Sequence, residues 1–149
     1  MRAVVQRVNE ASVTIDDKLY SNIEKGLLVF IAVHNNDTDK DLDYIIHKIV
    51  NMRIFTDEQG KMNKSILDVN AQILVVSQFT LYGDIRKGRR PSFIDSANPD
   101  KATYYYNLLV ERLKKSIEVV RTGVFAADMK VALVNDGPVT IQLDSSKIY

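Results

Sequence analysis

The sequence predicts an α+β domain, a curled, barrel-like β-sheet core packed with two main helices. Three observations point that way. Short runs rich in β-branched and apolar residues recur along the chain, separated by turn residues. One run, GLLVFIAV at 26–33, is apolar at nearly every position, as in a strand buried on both faces. Two segments place apolar residues at helical spacing, far apart in sequence, which favours α+β over a regular alternation of strand and helix. The chain has 149 residues, a length suited to one core. No repeat, low-complexity stretch or linker divides it, so residues 1–149 read as a single domain.

The elements follow in order. Val4, Gln6 and Val8 alternate with Ala3, Val5 and Arg7, and residues 11–15 are rich in β-branched types. Together these predict two short strands with Asn9-Glu10 as the turn. Asp16-Asp17 makes a second turn, and residues 26–33 form the buried strand. Thr38 is placed to cap a helix whose first turn carries Asp39 and Asp41, where the helix dipole favours acids. Leu42, Ile45, Ile46 and Ile49 are its apolar stripe. Residues 52–55 suggest a short strand, and the polar stretch 56–70 reads as a long loop. Residues 73–79 are the clearest strand. Asn98-Pro99-Asp100 opens the second helix as cap, first-turn proline and acid. Its stripe is Ala102, Tyr105, Tyr106, Leu109, Leu113 and Ile117. Residues 129–134 and 139–143 read as two strands joined at Asn135-Asp136-Gly137-Pro138.

Composition excludes several classes. There are no cysteines, hence no disulfide scaffold, cysteine nucleophile or thiolate metal site. The longest apolar run is far too short to span a bilayer, and the N-terminus reads as a strand and not as a secretion signal. Net charge is only +1, so the chain as a whole is not a polyanion binder. The charge is nevertheless local: Arg86, Lys87, Arg89 and Arg90 crowd one short stretch, able to meet phosphates, with Gly88 allowing close backbone approach. No aromatic is interleaved within that run, so it offers no base stacking by itself. Neither histidine, His34 or His47, sits in a pattern resembling a nucleophile elbow or a metal-binding pair, and no phosphate-binding glycine loop is present.

Two segments carry more polarity than a core requires. At Ser77-Gln78-Phe79-Thr80 an apolar strand turns polar at its end and can present hydroxyls, an amide and backbone N–H groups to a pocket. The plainer reading is a strand running out into solvent. At Asn135-Asp136-Gly137-Pro138-Val139-Thr140 an Asp-Gly pair between strand-like runs signals a hairpin. Pro138 could follow a cis bond, although the residues alone favour an ordinary trans turn.

SQFTLYGD (77–84) and NDGPVT (135–140), with the opening MRAVVQRV and the basic RKGRRPSF (86–93), together closely resemble the D-aminoacyl-tRNA deacylases. The resemblance spans essentially the whole chain, with no departure at the motif positions. It implies a homodimeric, cytoplasmic enzyme that cleaves the ester of D-aminoacyl-tRNA, and of glycyl-tRNA, without a metal or organic cofactor. The partner it implies is tRNA, not DNA or a membrane. By the same resemblance Ser77, Gln78, Phe79 and Thr80 line the catalytic pocket, while Gly137 and Pro138, joined by a cis bond, reach into the partner subunit's pocket as a chirality filter. Met129 is a candidate for the amino-acid pocket, although a Met on a strand is more often core. Arg86, Lys87, Arg89 and Arg90 are candidates for holding the tRNA. Whether the Thr80 hydroxyl attacks or the terminal ribose 2′-hydroxyl of the tRNA assists stays open at this point. The shortage of bases favours the second. A non-catalytic module that binds the tRNA acceptor end, or an editing domain for L-amino acids, are the alternatives.

Overall fold

A computed structural model describes residues 1–148. Strand β1 (Arg2–Ile15) runs unbroken through Asn9-Glu10, where the sequence predicts a turn. The two polar residues are exposed and sit where the pairing of β1 slips in register. A local irregularity of this kind bends a strand without ending it. The bend lets one edge of β1 serve two partners. Residues 2–8 pair with β3 (Gly26–Ala32), and residues 11–15 pair with β2 (Lys18–Ile23). The Asp16-Asp17 turn is as expected, with both residues at positive φ.

The other edge of β1 pairs along its length with β8 (Lys130–Asp144). The sequence predicts a hairpin inside this segment, yet the chain does not reverse. Asn135 faces Val8 and Thr140 faces Gln6. The residues between, Asp136 to Val139, are therefore an excursion opposite the single residue Arg7. An Asp-Gly signal marks a tight backbone departure, and here the strand resumes in its original direction after it.

Beyond β3 the sheet continues through β6 (Gln72–Ser77) to β7 (Val120–Thr122), both joined in parallel. Ser21 of β2 donates its hydroxyl to the Thr122 carbonyl of β7 at 2.7 Å, so the curled sheet almost closes on itself. Strands β2 and β7 are short and half-exposed, with no apolar pattern to announce them. Of the short strand expected at 52–55 only the end is extended, as β4 (Phe55–Thr56), which pairs with β5 (Met62–Lys64), a strand inside the predicted long loop, to form a separate two-stranded ribbon.

Helix α1 (Asp39–Asn51) starts at Thr38, whose N–H and hydroxyl both donate to the Asp41 carboxylate. It buries Leu42, Ile45 and Ile49, whereas Ile46 is only half-buried. Helix α2 (Pro99–Leu113) starts at Asn98, which accepts from the Lys101 N–H at 2.9 Å. Ile117 is buried as predicted, but it lies past the helix end. Both helices pack on one face of the sheet over a core that includes Val5, Val29, Val75, Leu109 and Leu113. A smaller cluster, among it Val8, Val13, Leu28 and Val76, fills the inside of the curl.

Candidate active site

Strand β6 carries its apolar run to Val76 and then opens on a cavity of about 560 Å³. That volume suits a small-molecule group. Ser77, Gln78 and Phe79 line it together with Ala97, Tyr106, Phe125 and Met129, among others. The walls are mostly apolar, and the polar end of β6 is set among them. Two buried contacts fix that strand end from behind. The Tyr106 hydroxyl donates to the Val75 carbonyl at 2.9 Å, and the Gly123 N–H donates to the same oxygen at 3.0 Å. Burial pushes the Tyr106 hydroxyl well above the ordinary tyrosine range, so it stays a donor. Gly123 also makes room for Met129, whose sulfur lies 2.5 Å from where a Cβ at 123 would stand.

After Ser77 the chain tightens into a 3-10 turn, Phe79–Tyr82. The Gln78 N–H still donates to Ile31 of β3 at 2.8 Å, and its side-chain amide donates to the Thr80 hydroxyl. Two side chains from elsewhere in the chain pin the carbonyls of the turn. Ser96 donates to Phe79 O at 3.1 Å, and Arg2 donates to Leu81 O at 3.1 Å. Arg2 also lies 4.5 Å from the centroid of the buried Tyr82 ring. Holding the Phe79 carbonyl fixes the plane of the peptide whose other side carries the Thr80 N–H. Thr80 itself is exposed.

Gly137 and Pro138 do not line this cavity. They are exposed at the crest of the excursion in β8, and the bond between them is cis. Beneath them lies Arg7, which is only 8% exposed. Its Nη1 donates to the Ile54 carbonyl at 2.6 Å. Its Nε lies 2.9 Å from an Asp136 carboxylate oxygen but is not aimed at it, so the pair is held by charge and not by a directed hydrogen bond. Asn135 braces the base of the excursion, donating to the carbonyls of Arg7 at 2.9 Å and Val139 at 3.0 Å. Arg7 is legible in principle from the sequence. It shares strand parity with Ala3 and Val5, so a cation there falls on the core face and demands a partner.

The basic residues sit on an exposed loop closed by a bridge between Asp84 and Ser92. They are not equivalent. Arg86 donates from its side chain and its backbone N–H to Asp84, and these bonds draw the Asp84 carboxyl down to about 2. The Asp84–Arg86 pair therefore persists as pH falls and is lost only on approaching that value. Lys87, Arg89 and Arg90 are exposed cations with no carboxylate of the described residues within ion-pair distance. Phe93, which carries no signal of its own in the sequence, packs edge-on against Phe79 with ring centroids 4.9 Å apart. Among the described residues no group of three or more His, Asp or Glu is placed to hold a metal ion, and no helix is long and apolar enough to cross a membrane.

An apolar cavity with one polar wall defines a pocket for a small organic group, and a loop of exposed cations branches from the chain beside Phe93. Residues 4–144 match the family model described as D-Tyr-tRNA(Tyr) deacylase, and the chain belongs to that family. It is 56% identical to a D-aminoacyl-tRNA deacylase of Thermosipho melanesiensis and 56% identical to one of Petrotoga mobilis, with all of each chain covered. It is 50% identical to that of Syntrophus aciditrophicus, again over both full lengths. Among solved structures, the c-Myc DNA Unwinding Element Binding Protein superposes with a TM-score of 0.92 at 43% identity, covering 97% of this chain and 98% of that one. A structure described as a probable eukaryotic D-amino acid tRNA deacylase shares the fold, with a TM-score of 0.83 at 19% identity over 95% of this chain and 97% of that one.

Proposed function

We propose that this protein hydrolyses the ester bond of D-aminoacyl-tRNA, and of glycyl-tRNA, in the cytoplasm, and that it acts as a homodimer. The observation that carries the dimer is the position of Gly137 and Pro138. They are exposed, braced from below and absent from the cavity of their own chain. A second copy that inserts this crest into the cavity completes a site that one chain leaves open. The Gly137 and Pro138 carbonyls then bind the α-amino group and fill the volume that an L side chain needs. Rejection by clash with backbone works for any side chain and requires no tight binding of the accepted substrate.

In the reaction, water adds to the ester carbonyl carbon. The bond to the ribose oxygen then breaks, and that oxygen takes a proton to become the free hydroxyl of the tRNA. An aminoacyl ester is already activated, so positioning and stabilisation of the developing oxyanion suffice. Backbone N–H groups at Phe79 and Thr80 are the proposed donors, with Ser77 and Gln78 shaping the wall and Met129 facing the amino acid. The Thr80 hydroxyl accepts from Gln78, and no His, Asp or Glu of the described residues hydrogen-bonds to it. That favours assistance by the ribose 2′-hydroxyl over attack by Thr80. Single-turnover hydrolysis of D-tyrosyl-tRNA and L-tyrosyl-tRNA tests the whole reading. Cleavage of the D-ester alone is expected. Cleavage of both would remove the filter, and binding without turnover would leave a tRNA-binding module.

The loop supplies affinity through phosphates. Neutralising Arg89 and Arg90 is expected to flatten the salt dependence of tRNA binding by a slope of about 1.4, since each contact to a single-strand phosphate adds about 0.7. Arg86→Ala should change it much less, because Asp84 already holds that guanidinium. Equal effects of all three substitutions, measured by filter binding across a salt series, would count against this division.

A further inference from the structure

We propose that Phe79 and Phe93 form a stacking platform for the unpaired nucleotides that precede the esterified terminal nucleoside of the substrate. The inference rests on the deacylase reading above and extends it from the reacting end to the adjoining strand. Phe79 lines the cavity, yet it is 54% exposed. An aromatic residue left open at the rim of a pocket is a surface awaiting a flat apolar partner. The Phe93 ring lies against it at an interplanar angle of 68° and is held over Gly83, where a Cβ would come within 3.1 Å of the ring. Ile85 and Ile94 add exposed apolar surface on either side of the Asp84–Ser92 bridge.

Charge decides the occupant. The loop between Asp84 and Ser92, which adjoins Gly83 and Phe93 in the chain, carries Lys87, Arg89 and Arg90, all exposed. Four Cα steps lead from Asp84 to Gly88 in the middle of the loop, a reach of at most about 14 Å even if the chain were fully extended. Aromatic rings followed by cations at that distance suit bases on the rings and their phosphates on the loop, the arrangement that holds single-stranded nucleic acid without reading its sequence. A purely apolar partner would leave the three cations unmatched. The strand also has only one sensible direction, because the ester end must enter the cavity that Phe79 borders.

The test compares D-tyrosyl esters of two carriers, adenosine alone and the trinucleotide cytidine-cytidine-adenosine, with wild type and Phe93→Leu. Leucine keeps an apolar side chain beside Phe79 and removes the ring. Wild type is expected to show a KM roughly tenfold lower for the trinucleotide ester, from stacking of one to two bases. Phe93→Leu should lose most of that advantage and keep wild-type rates on the adenosine ester. Binding of the uncharged trinucleotide, followed by NMR, should shift the cytosine H5 and H6 resonances upfield in wild type and much less in the variant. Equal KM for the two esters in wild type, or an advantage unchanged in Phe93→Leu, overturns the platform. So does a variant that alters sedimentation and both esters alike, since the rings would then serve subunit contact. If neither ester is cleaved, the deacylase reading fails, and the cytosine shifts still decide the platform by themselves.

Discussion

Gly137→Ala is expected to lower the ratio of D- to L-tyrosyl-tRNA hydrolysis at least tenfold while leaving a folded protein. Gly137 has φ +118°, a conformation that L side chains rarely adopt. A Cβ there would stand 2.8 Å from a Val139 methyl and 2.9 Å from Nη2 of Arg7. The arginine cannot retreat easily, because it is buried and donates to the Ile54 carbonyl. The crest must therefore shift instead, and a filter that works by steric overlap depends on its position to a fraction of an ångström. Forcing a residue into such a conformation costs about 1–3 kcal/mol. Paired rate measurements on the two diastereomeric esters, with a thermal melt as control, give the answer. An unchanged ratio would separate the excursion in β8 from stereoselection.

The second large effect is on stability. Gly26→Ala is expected to destabilise the fold by about 3 kcal/mol or more, in the range reserved for severe core defects. Here the reason is space and not conformation. Gly26 opens β3 directly opposite Gln72 at the start of β6, and a Cβ would sit 1.9 Å from the Gln72 carbonyl oxygen. Backbone cannot rotate aside as a side chain can, so the two strands must part where their parallel pairing begins. Since β6 carries Ser77 to the cavity, activity should fall along with the denaturation midpoint. Urea titration of the variant would show the loss, and a midpoint within error of wild type would contradict so close an approach of the two strands.

Much of this architecture is legible in the sequence because periodicity reports burial. The stripe of α1, the cap at Asn98 and the all-apolar β3 each follow from one face meeting one core. The turn expected in β1 and the hairpin expected in β8 fail for a shared reason. Asn9-Glu10 and Asp136-Gly137 are turn-forming by local chemistry, but pairing along a common edge outweighs local preference and carries both strands through. Strands β2 and β7 bury only one residue each, Ile23 and Val120, too few to leave a pattern. At the site, the polar end of β6 is visible as a break in an apolar run. The supporting contacts from Ser96, Arg2 and Tyr106 are not, because each reaches its carbonyl from elsewhere in the chain. Phe93 likewise gains meaning only from its neighbour in space.

The excursion opposite Arg7 is clamped at both ends by paired strand residues, Asn135 with Val8 and Thr140 with Gln6. It has no hinge of its own and can wander only as far as the sheet lets it. Stereoselection, as proposed for this crest, should therefore hold nearly constant on warming and fail together with the sheet, at one temperature, where a filter built on a free loop would soften gradually long before the protein melts.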